Sequence, residues 1–451
     1  MQQGLEPNAS ATTLQDAVRC ALAEAARLGA SQADADASIG QGLSVTVRLG
    51  EVETIEYQRD RGLAVTVYFG KRKGTASTAD LSREAVGSIV AKACAIARFT
   101  AEDPYAGLIE PEALAREIPD LDLDYPWSLT AEEAIDIARR CERAGMDVDA
   151  RITNSEGASV GSQRHTGVYG NSHGFLAGYS ATSHSISCSL IAQHGPQMQR
   201  DYWYTTARDA LDLQTPEAVG VHAGRRACAR LGARKLSTRR APVLFAPEIA
   251  RGLFQHFVGA ISGPSQYRKA SFLLDAAGER VFPQFVRMSE RPHIPKGIGS
   301  APFDAEGAAT LDRELVEQGV VRGYVLGSYS ARRLGLKSTG NAGGIHNLLV
   351  VADGAAGEFT GEDLLQEMGS GLWVTELMGQ GVNGVTGDYS RGASGFWVEG
   401  GAIAYPVHEV TIAGNLREMY KNIVAIGNDV DGRGTIRCGS VLAAQMTIAG
   451  D

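Results

Sequence analysis

No stretch of this chain approaches the roughly 18 uncharged apolar residues that a membrane-spanning helix needs. The first residues, MQQGLEPNASATT, have neither the basic n-region nor the apolar h-region of a secretory signal. Membrane insertion and export are therefore both disfavoured, and a cytoplasmic location is expected. Positive charge is also in short supply. Lys and Arg number 43 against 52 Asp and Glu, for a net charge of −9, and the basic runs Lys71-Arg72-Lys73 and Arg239-Arg240 are short. Such a surface has no surplus to neutralise phosphates, so nucleic acid is not an expected partner. The six cysteines (Cys20, Cys94, Cys141, Cys188, Cys228 and Cys438) include no CxxC pair. That excludes a zinc knuckle and argues for reduced thiols over a disulfide framework. No two histidines stand at i, i+4 on a helical pattern, so the HExxH type of metal site is missing too.

Glycine, in contrast, is abundant. The 54 glycines in 451 residues are roughly 12% against a usual 7%, and they concentrate after Gly259, where they punctuate short apolar runs as turns and bulges do in β-structure. The length exceeds what one core usually serves, so two domains are expected. Residues 14–28 are alanine-rich with helical spacing. Three alternating runs, SVTVRL, ETIEYQ and LAVTVYF, are separated by Gly50 and Arg61-Gly62, and residues 81–99 return to a helical period. Residues 103–127, with four prolines, read as an irregular linker. After it the order helix, several strands, helix recurs, which suggests an internal duplication. The basic, turn-like KLSTRRAP at 235–242 closes this part. The expected fold is α+β. An N-terminal domain of helix-meander-helix units covers residues 1–235, and a β-rich, barrel-like domain covers residues 236–451, where several short strands with glycine turns argue for a barrel or curled sheet.

The stretch 242–275 concentrates the candidate chemistry. PVLF reads as a buried strand, and from Glu248 the residues Ile249, Leu253, Phe254, Phe257, Val258 and Ile261 recur at helical spacing until Gly263-Pro264. A metallopeptidase helix would carry histidines here, yet Gln255-His256 occupies the centre. His256 is either a hydrogen-bonded structural histidine or a residual site residue. Cys438 has the basic neighbour Arg437, which can lower a thiol's pKa and make it a better ligand, though a buried small cysteine is the commoner case. Gly259 and Gly263 would let a peptide or another backbone approach. Elsewhere, Gly170-Asn171-Ser172-His173-Gly174 matches GxSxG, but the strand-like run after it makes this a hairpin turn and not a nucleophile elbow. Lys337 to Gly340 lacks the partners of a penicillin-binding KTG, and the glycines at 340–344 lack a phosphate loop's ending.

Residues 252–275, PFDAEG at 302–307, SYSARRLGLKSTGNAGGIHN at 328–347 and RCGS at 437–440 together resemble the TldD/PmbA metalloprotease family, and more narrowly its PmbA (TldE) branch. The resemblance implies the following. The TldD branch carries HExxxH on the corresponding helix, with a C-terminal cysteine as third zinc ligand. Laid on this chain, the histidines fall on Gln255 and Ala260, the glutamate on His256 and the cysteine on Cys438. A carboxamide is a poor zinc ligand and alanine is none, so the site is degenerate, with Cys438 as its remnant. No metal or cofactor is then expected in this chain, and zinc is expected in a TldD-like partner. The implied role is a non-zinc subunit of a cytoplasmic zinc metalloprotease complex that cleaves extended or unfolded peptides and matures modified ones, with a homodimer as the assembly of the isolated chain. The alternatives are an autonomous metallopeptidase with a non-standard site built around His256 and Cys438, and a non-enzymatic scaffold or regulator. The family's older description as a modulator of DNA gyrase belongs with the last.

Overall fold

The computed structural model describes residues 7–450. Its first half runs α1 (Pro7–Arg27), β1 (Gln32–Arg48), β2 (Glu51–Phe69), β3 (Arg72–Thr78) and α2 (Arg83–Phe99). Beyond the linker the same order returns as α3 (Ala131–Met146), β4 (Ile152–Asn171), β5 (Leu176–His194), β6 (Gln197–Ala207) and α4 (Pro216–Ala229). The two meanders join through their first strands, β1 antiparallel to β4, into one sheet of order β3-β2-β1-β4-β5-β6. Strand alternation then divides the side chains between two faces. Ala33, Ala35 and Ala37 pack with α1 and α2. Further along β1, Leu43, Val45 and Val47 pack with α3 and α4. Asp34 and Asp36, at the alternate positions, are left for the opposite face. Helices α3 and α4 meet backbone to backbone, since a Cβ at Gly220 would lie 1.9 Å from the carbonyl oxygen of Cys141.

Two sequence-based expectations change here. ETIEYQ and LAVTVYF are one strand, because β1 pairs with β2 straight through Arg61 and Gly62. The third strand is RKGTAST, which pairs with residues 63–69 and carries no apolar alternation to reveal it.

The second half contains β7 (Arg239–Phe245), α5 (Pro247–Ala260), α6 (Gly263–Tyr267), β8 (Val286–Glu290), β9 (Arg313–Glu317), β10 (Val320–Val321) and α7 (Ser328–Leu334). It continues with β11 (Leu348–Ala352), α8 (Gly361–Met368), β12 (Gly371–Met378), β13 (Asp388–Glu399), β14 (Ala402–Asn415), α9 (Leu416–Lys421), β15 (Ile423–Ile426), β16 (Ile436–Cys438) and β17 (Val441–Ala449). Strands β14, β13, β12, β7 and β17 follow one another, and β17 pairs back to β14, which closes a barrel. A second, open sheet has the order β10-β9-β8-β11-β16. One apolar core serves both sheets, and Phe254, Phe257 and Ile261 of the α5 region lie inside it with Phe282 and Tyr420. The molecule thus has the expected mixed α and β class with a β-rich, barrel-containing second half. All strands of the first sheet precede residue 208, and those of the other two follow residue 238. No helix of the described residues is long and apolar enough to cross a membrane.

Candidate functional site

Helix α5 leaves β7 at Pro247 and is tied at its start to the first half of the molecule. Glu248 accepts a hydrogen bond from Arg226 (2.8 Å), and Arg251 donates to the Tyr204 hydroxyl (3.1 Å). Three of the four sequence-derived site positions lie on this helix and the fourth, Cys438, on β16. Gln255 is exposed, whereas Ala260 is buried in the core. Five residues turn an ideal helix through roughly 500°, so these two positions point about 140° apart here. His256 is half-buried, its ring edge-on to Tyr389 at 6.3 Å. Burial first, and the nearby Arg391 charge second, lower its pKa, which keeps the ring neutral at neutral pH. Cys438 is fully buried in β16, with its sulfur 3.8 Å from the carbonyl oxygen of Pro247. It lies against the first turn of α5, and Gln255 is roughly 12 Å further along the axis by the helical rise.

The proposed effect of Arg437 on Cys438 is not what the structure shows. Burial pushes the thiol's pKa up, since a thiolate would be desolvated there. Successive residues on a strand also face opposite ways. Gly263 does not open a groove either, because a Cβ there would meet Ser330 of α7 at 2.3 Å. Gly259, which is exposed, does face open space. Among the described residues no group of three or more His, Cys, Asp or Glu side chains is placed to hold a metal ion. A zinc ion needs about three such ligands, so the residues at Gln255, His256, Ala260 and Cys438 do not fit one.

Two of the recognised blocks, PFDAEG and the NAGGIH part of the block at 328–347, meet elsewhere, in a cleft of about 320 Å³ between the first sheet and the loops of the second half. One wall carries Asp36, His165, Tyr169 and Tyr179 from β1, β4 and β5. The other carries Phe303, Asp304 and residues 342–346. Behind it sits Glu290, 1% exposed. Its carboxylate accepts from Arg313 (2.7 Å), the Asn341 amide (2.7 Å) and the His346 backbone N–H (2.8 Å), with the His346 Nδ1 at 3.1 Å. Burial raises the Glu290 pKa, but the hydrogen bond from His346 and the Arg313 charge outweigh it and hold it below the ordinary carboxylate value. An ionised carboxylate only accepts. This network therefore places a proton on the His346 Nδ1, on a ring that lines the cleft.

Asp304 accepts from the backbone N–H groups of Glu306, Ala308 and Ala342 (2.9, 2.9 and 2.8 Å), so it locks PFDAEG onto the NAGG loop. Glu306 receives the Ser328 N–H (2.9 Å) and hydroxyl (3.0 Å) at the start of α7. Phe303 packs edge-on to Tyr179 at 5.6 Å. Among the described residues that line the cleft there is no serine, threonine or cysteine, and its polar groups are carboxylates, imidazoles and phenols. The GxSxG match is indeed the turn between β4 and β5, where the Ser172 hydroxyl accepts from the Ala33 N–H at 3.0 Å. Asp36, His165, Tyr179, Glu290 and His346 were not singled out as site residues by the sequence. The only local signal was the motif NAGGIHN, which marked family and not chemistry.

The arrangement defines a duplicated α+β platform joined to a barrel domain across a polar cleft. Family models of the PmbA/TldA metallopeptidases match residues 33–97 (domain 1), 124–231 (central domain) and 238–450 (C-terminal domain). The chain is 52% identical to Metalloprotease PmbA of Escherichia coli O157:H7 over 97% of its length and 96% of that protein's. It is 46% identical to the Metalloprotease PmbA homolog of Haemophilus influenzae, with the same two shares covered. Among solved structures, a Bacteroides thetaiotaomicron protein described as a modulator of DNA gyrase superposes with a TM-score of 0.90 at 25% identity, covering 97% of this chain and 99% of that one. TldE of Thermococcus kodakarensis shares the fold, with a TM-score of 0.84 at 20% identity, 96% of this chain and 100% of that one being covered. The chain belongs to the PmbA/TldD metallopeptidase family, in its PmbA (TldE) group.

Proposed function

We propose that this chain is the non-zinc subunit of a cytoplasmic zinc metalloprotease complex, paired with a TldD-like subunit and acting on extended or unfolded peptides. The observation that supports this most is helix α5, a protease-family element whose expected ligand positions are an exposed glutamine and a core alanine. The hydrolytic step is accordingly assigned to the partner. This chain would contribute surface for peptide and partner, and Gly259, with open space before it, is the part of α5 that a peptide can reach.

The test is metal analysis of the purified chain together with peptidase assays of the chain, the partner and the reconstituted pair on an unstructured peptide. The expected outcome is no stoichiometric zinc in this chain and cleavage that needs both proteins. One zinc per chain, lost on His256→Ala or Cys438→Ser, would instead make it an autonomous metallopeptidase. A pair that cleaves nothing would point to a scaffold or regulator.

A further inference from the structure

The two walls of the cleft differ in how their polar groups are satisfied. On the loop wall, both oxygens of Asp304 already accept backbone N–H bonds, and the His346 ring is held by Glu290. On the sheet wall, register fixes which side chains face the cleft. Asp36 of β1 stands opposite Tyr169 of β4, and Tyr179 of β5 stands opposite Gly167. Alternation along β4 puts His165, Gly167 and Tyr169 on that same face. Among the described residues, the side chains of Asp36, His165 and Tyr179 form no hydrogen bond to another residue, and Asp36 enters no ion pair within 4 Å. Their hydrogen-bonding capacity is open to the cleft that they line. Gly167 keeps the floor between His165 and Tyr169 low, as a glycine inside a strand does where something approaches closely. On the loop side, Gly344 has a φ of +128° and open space where a Cβ would stand.

Charge selects the ligand. No lysine or arginine is among the described residues that line the cleft. Arg208, whose charge reaches Tyr179, donates instead to the carbonyls of Thr182 (2.9 Å) and Ile298 (2.7 Å). Burial raises the Asp36 pKa, and only the His165 charge opposes it. A carboxylate turned into a cleft without a cationic partner is stabilised by a cation that hydrogen-bonds to it. The rings of Tyr169, Tyr179 and Phe303 complete the surround, and aromatic faces attract an ammonium group within roughly 6 Å. A phosphate or carboxylate ligand would meet the same Asp36 charge as repulsion. The volume of about 320 Å³ lies at the lower end of ligand pockets, roughly 300–1,000 Å³. It has room for the end or one side chain of a peptide and not for a folded partner.

We propose that this cleft binds a primary ammonium group of an extended peptide, with Asp36 as its counter-ion and the Tyr179 and Phe303 rings beside it. The peptide as ligand rests on the function proposed above, but binding is read on this chain alone, without partner or cleavage. The test is fluorescence anisotropy of the full-length chain with three unstructured peptides labelled at the C-terminus. The first is lysine-free with a free N-terminus, the second is the same peptide N-acetylated, and the third is N-acetylated with one central lysine. At least one amine-bearing peptide is expected to bind about tenfold or more tighter than the acetylated, lysine-free one. The peptide that binds tells whether the ammonium is the chain terminus or a lysine side chain. Asp36 is exposed, so Asp36→Asn is expected to melt as wild type does and to lose the amine preference while keeping the weak binding of the acetylated, lysine-free peptide. Equal affinity for all three peptides, no saturable binding of any, or a preference that survives Asp36→Asn would overturn the proposal. A reconstituted pair that cleaves nothing, with the amine preference intact, would count against the peptidase reading and leave this site standing.

Discussion

Glu290 and Asp34 are two carboxylates shifted in opposite directions by their surroundings. Glu290 holds Arg313, Asn341 and His346 together from within the second half of the molecule. Glu290→Ala removes the carboxylate from the half-buried Arg313 guanidinium, which keeps its bonds to the Tyr324 carbonyl and the Asn341 amide oxygen, and is expected to lower the unfolding free energy by about 1–3 kcal/mol, measured by urea titration. Its depressed pKa contributes stability that is complete above the unfolded carboxylate value of about 4.3 and is lost as pH falls through the lower folded value. Asp34, on β1, behaves in the reverse sense. Burial, assisted by the Glu306 and Asp36 charges and opposed by Lys73 and Thr66, pushes its pKa up to about 7. The folded state then retains a proton that the unfolded chain releases, so stability falls as pH rises from about 4 toward about 7 and is flat beyond. Asp34→Asn is expected to be more stable than wild type near neutral pH, with an advantage that shrinks toward about pH 4. Unfolding curves at about pH 5 and about pH 8 that show no change in the difference would contradict this.

At the scale of the element, α5 is a core helix on one side and an open surface on the other, and its glycines mark the two sides. At Gly263, just past its end, a methyl group would strike Ser330, and Gly263→Ala is expected to cost about 1–3 kcal/mol from overpacking. At Gly259 a methyl group meets nothing within 4 Å. Gly259→Ala should therefore leave stability unchanged or raise it by up to about 1 kcal/mol through helix propensity. Gly259→Trp separates packing from function. Its stability is expected to stay within about 1 kcal/mol of wild type, as surface changes do, while peptidase activity of the reconstituted pair falls. Full activity with intact folding would make α5 a core element only.

Across the whole molecule, the halves are held by named clasps and not by a shared sheet. Arg332, on α7, donates to the carbonyls of Tyr105 (3.1 Å), Gly107 (3.0 Å) and Leu108 and to the Glu110 carboxylate (3.0 Å), and Tyr329 donates to Asp103 at 2.8 Å. The SYSARRL block thus fastens the linker onto the second half. Arg230, buried in the first half, pairs with Glu376 of β12. Arg332→Ala removes several charge-assisted bonds at once and is expected to destabilise the protein by about 2–3 kcal/mol. Limited proteolysis should then cut within residues 103–127 sooner than in wild type, and equal cleavage rates would show that the clasp is dispensable.

The repeated helix-meander-helix order was legible in the sequence because it rests on local periods, 3.6 for the helices and 2 for the strands. The missing ligands of α5 were legible for the same reason, since residue type at a given spacing along one helix is a local property. Where the local pattern was faint, the reading failed. QADADASIG opens β1 with alanine in place of larger apolar residues, RKGTAST has no alternation, and SYSARRL forms a helix whose buried face is Ser328, Ser330 and Ala331. The cleft could not be read at all. Asp36, His165, Glu290 and His346 lie far apart in the chain, and they line or support one wall or another only because β1 pairs with β4 and the PFDAEG and NAGG loops fold against that sheet. The distance of Cys438 from Gln255 was likewise a tertiary matter. The family resemblance aligned the two as ligands of one ion, whereas the structure seats the Cys438 sulfur against the Pro247 carbonyl at the start of α5.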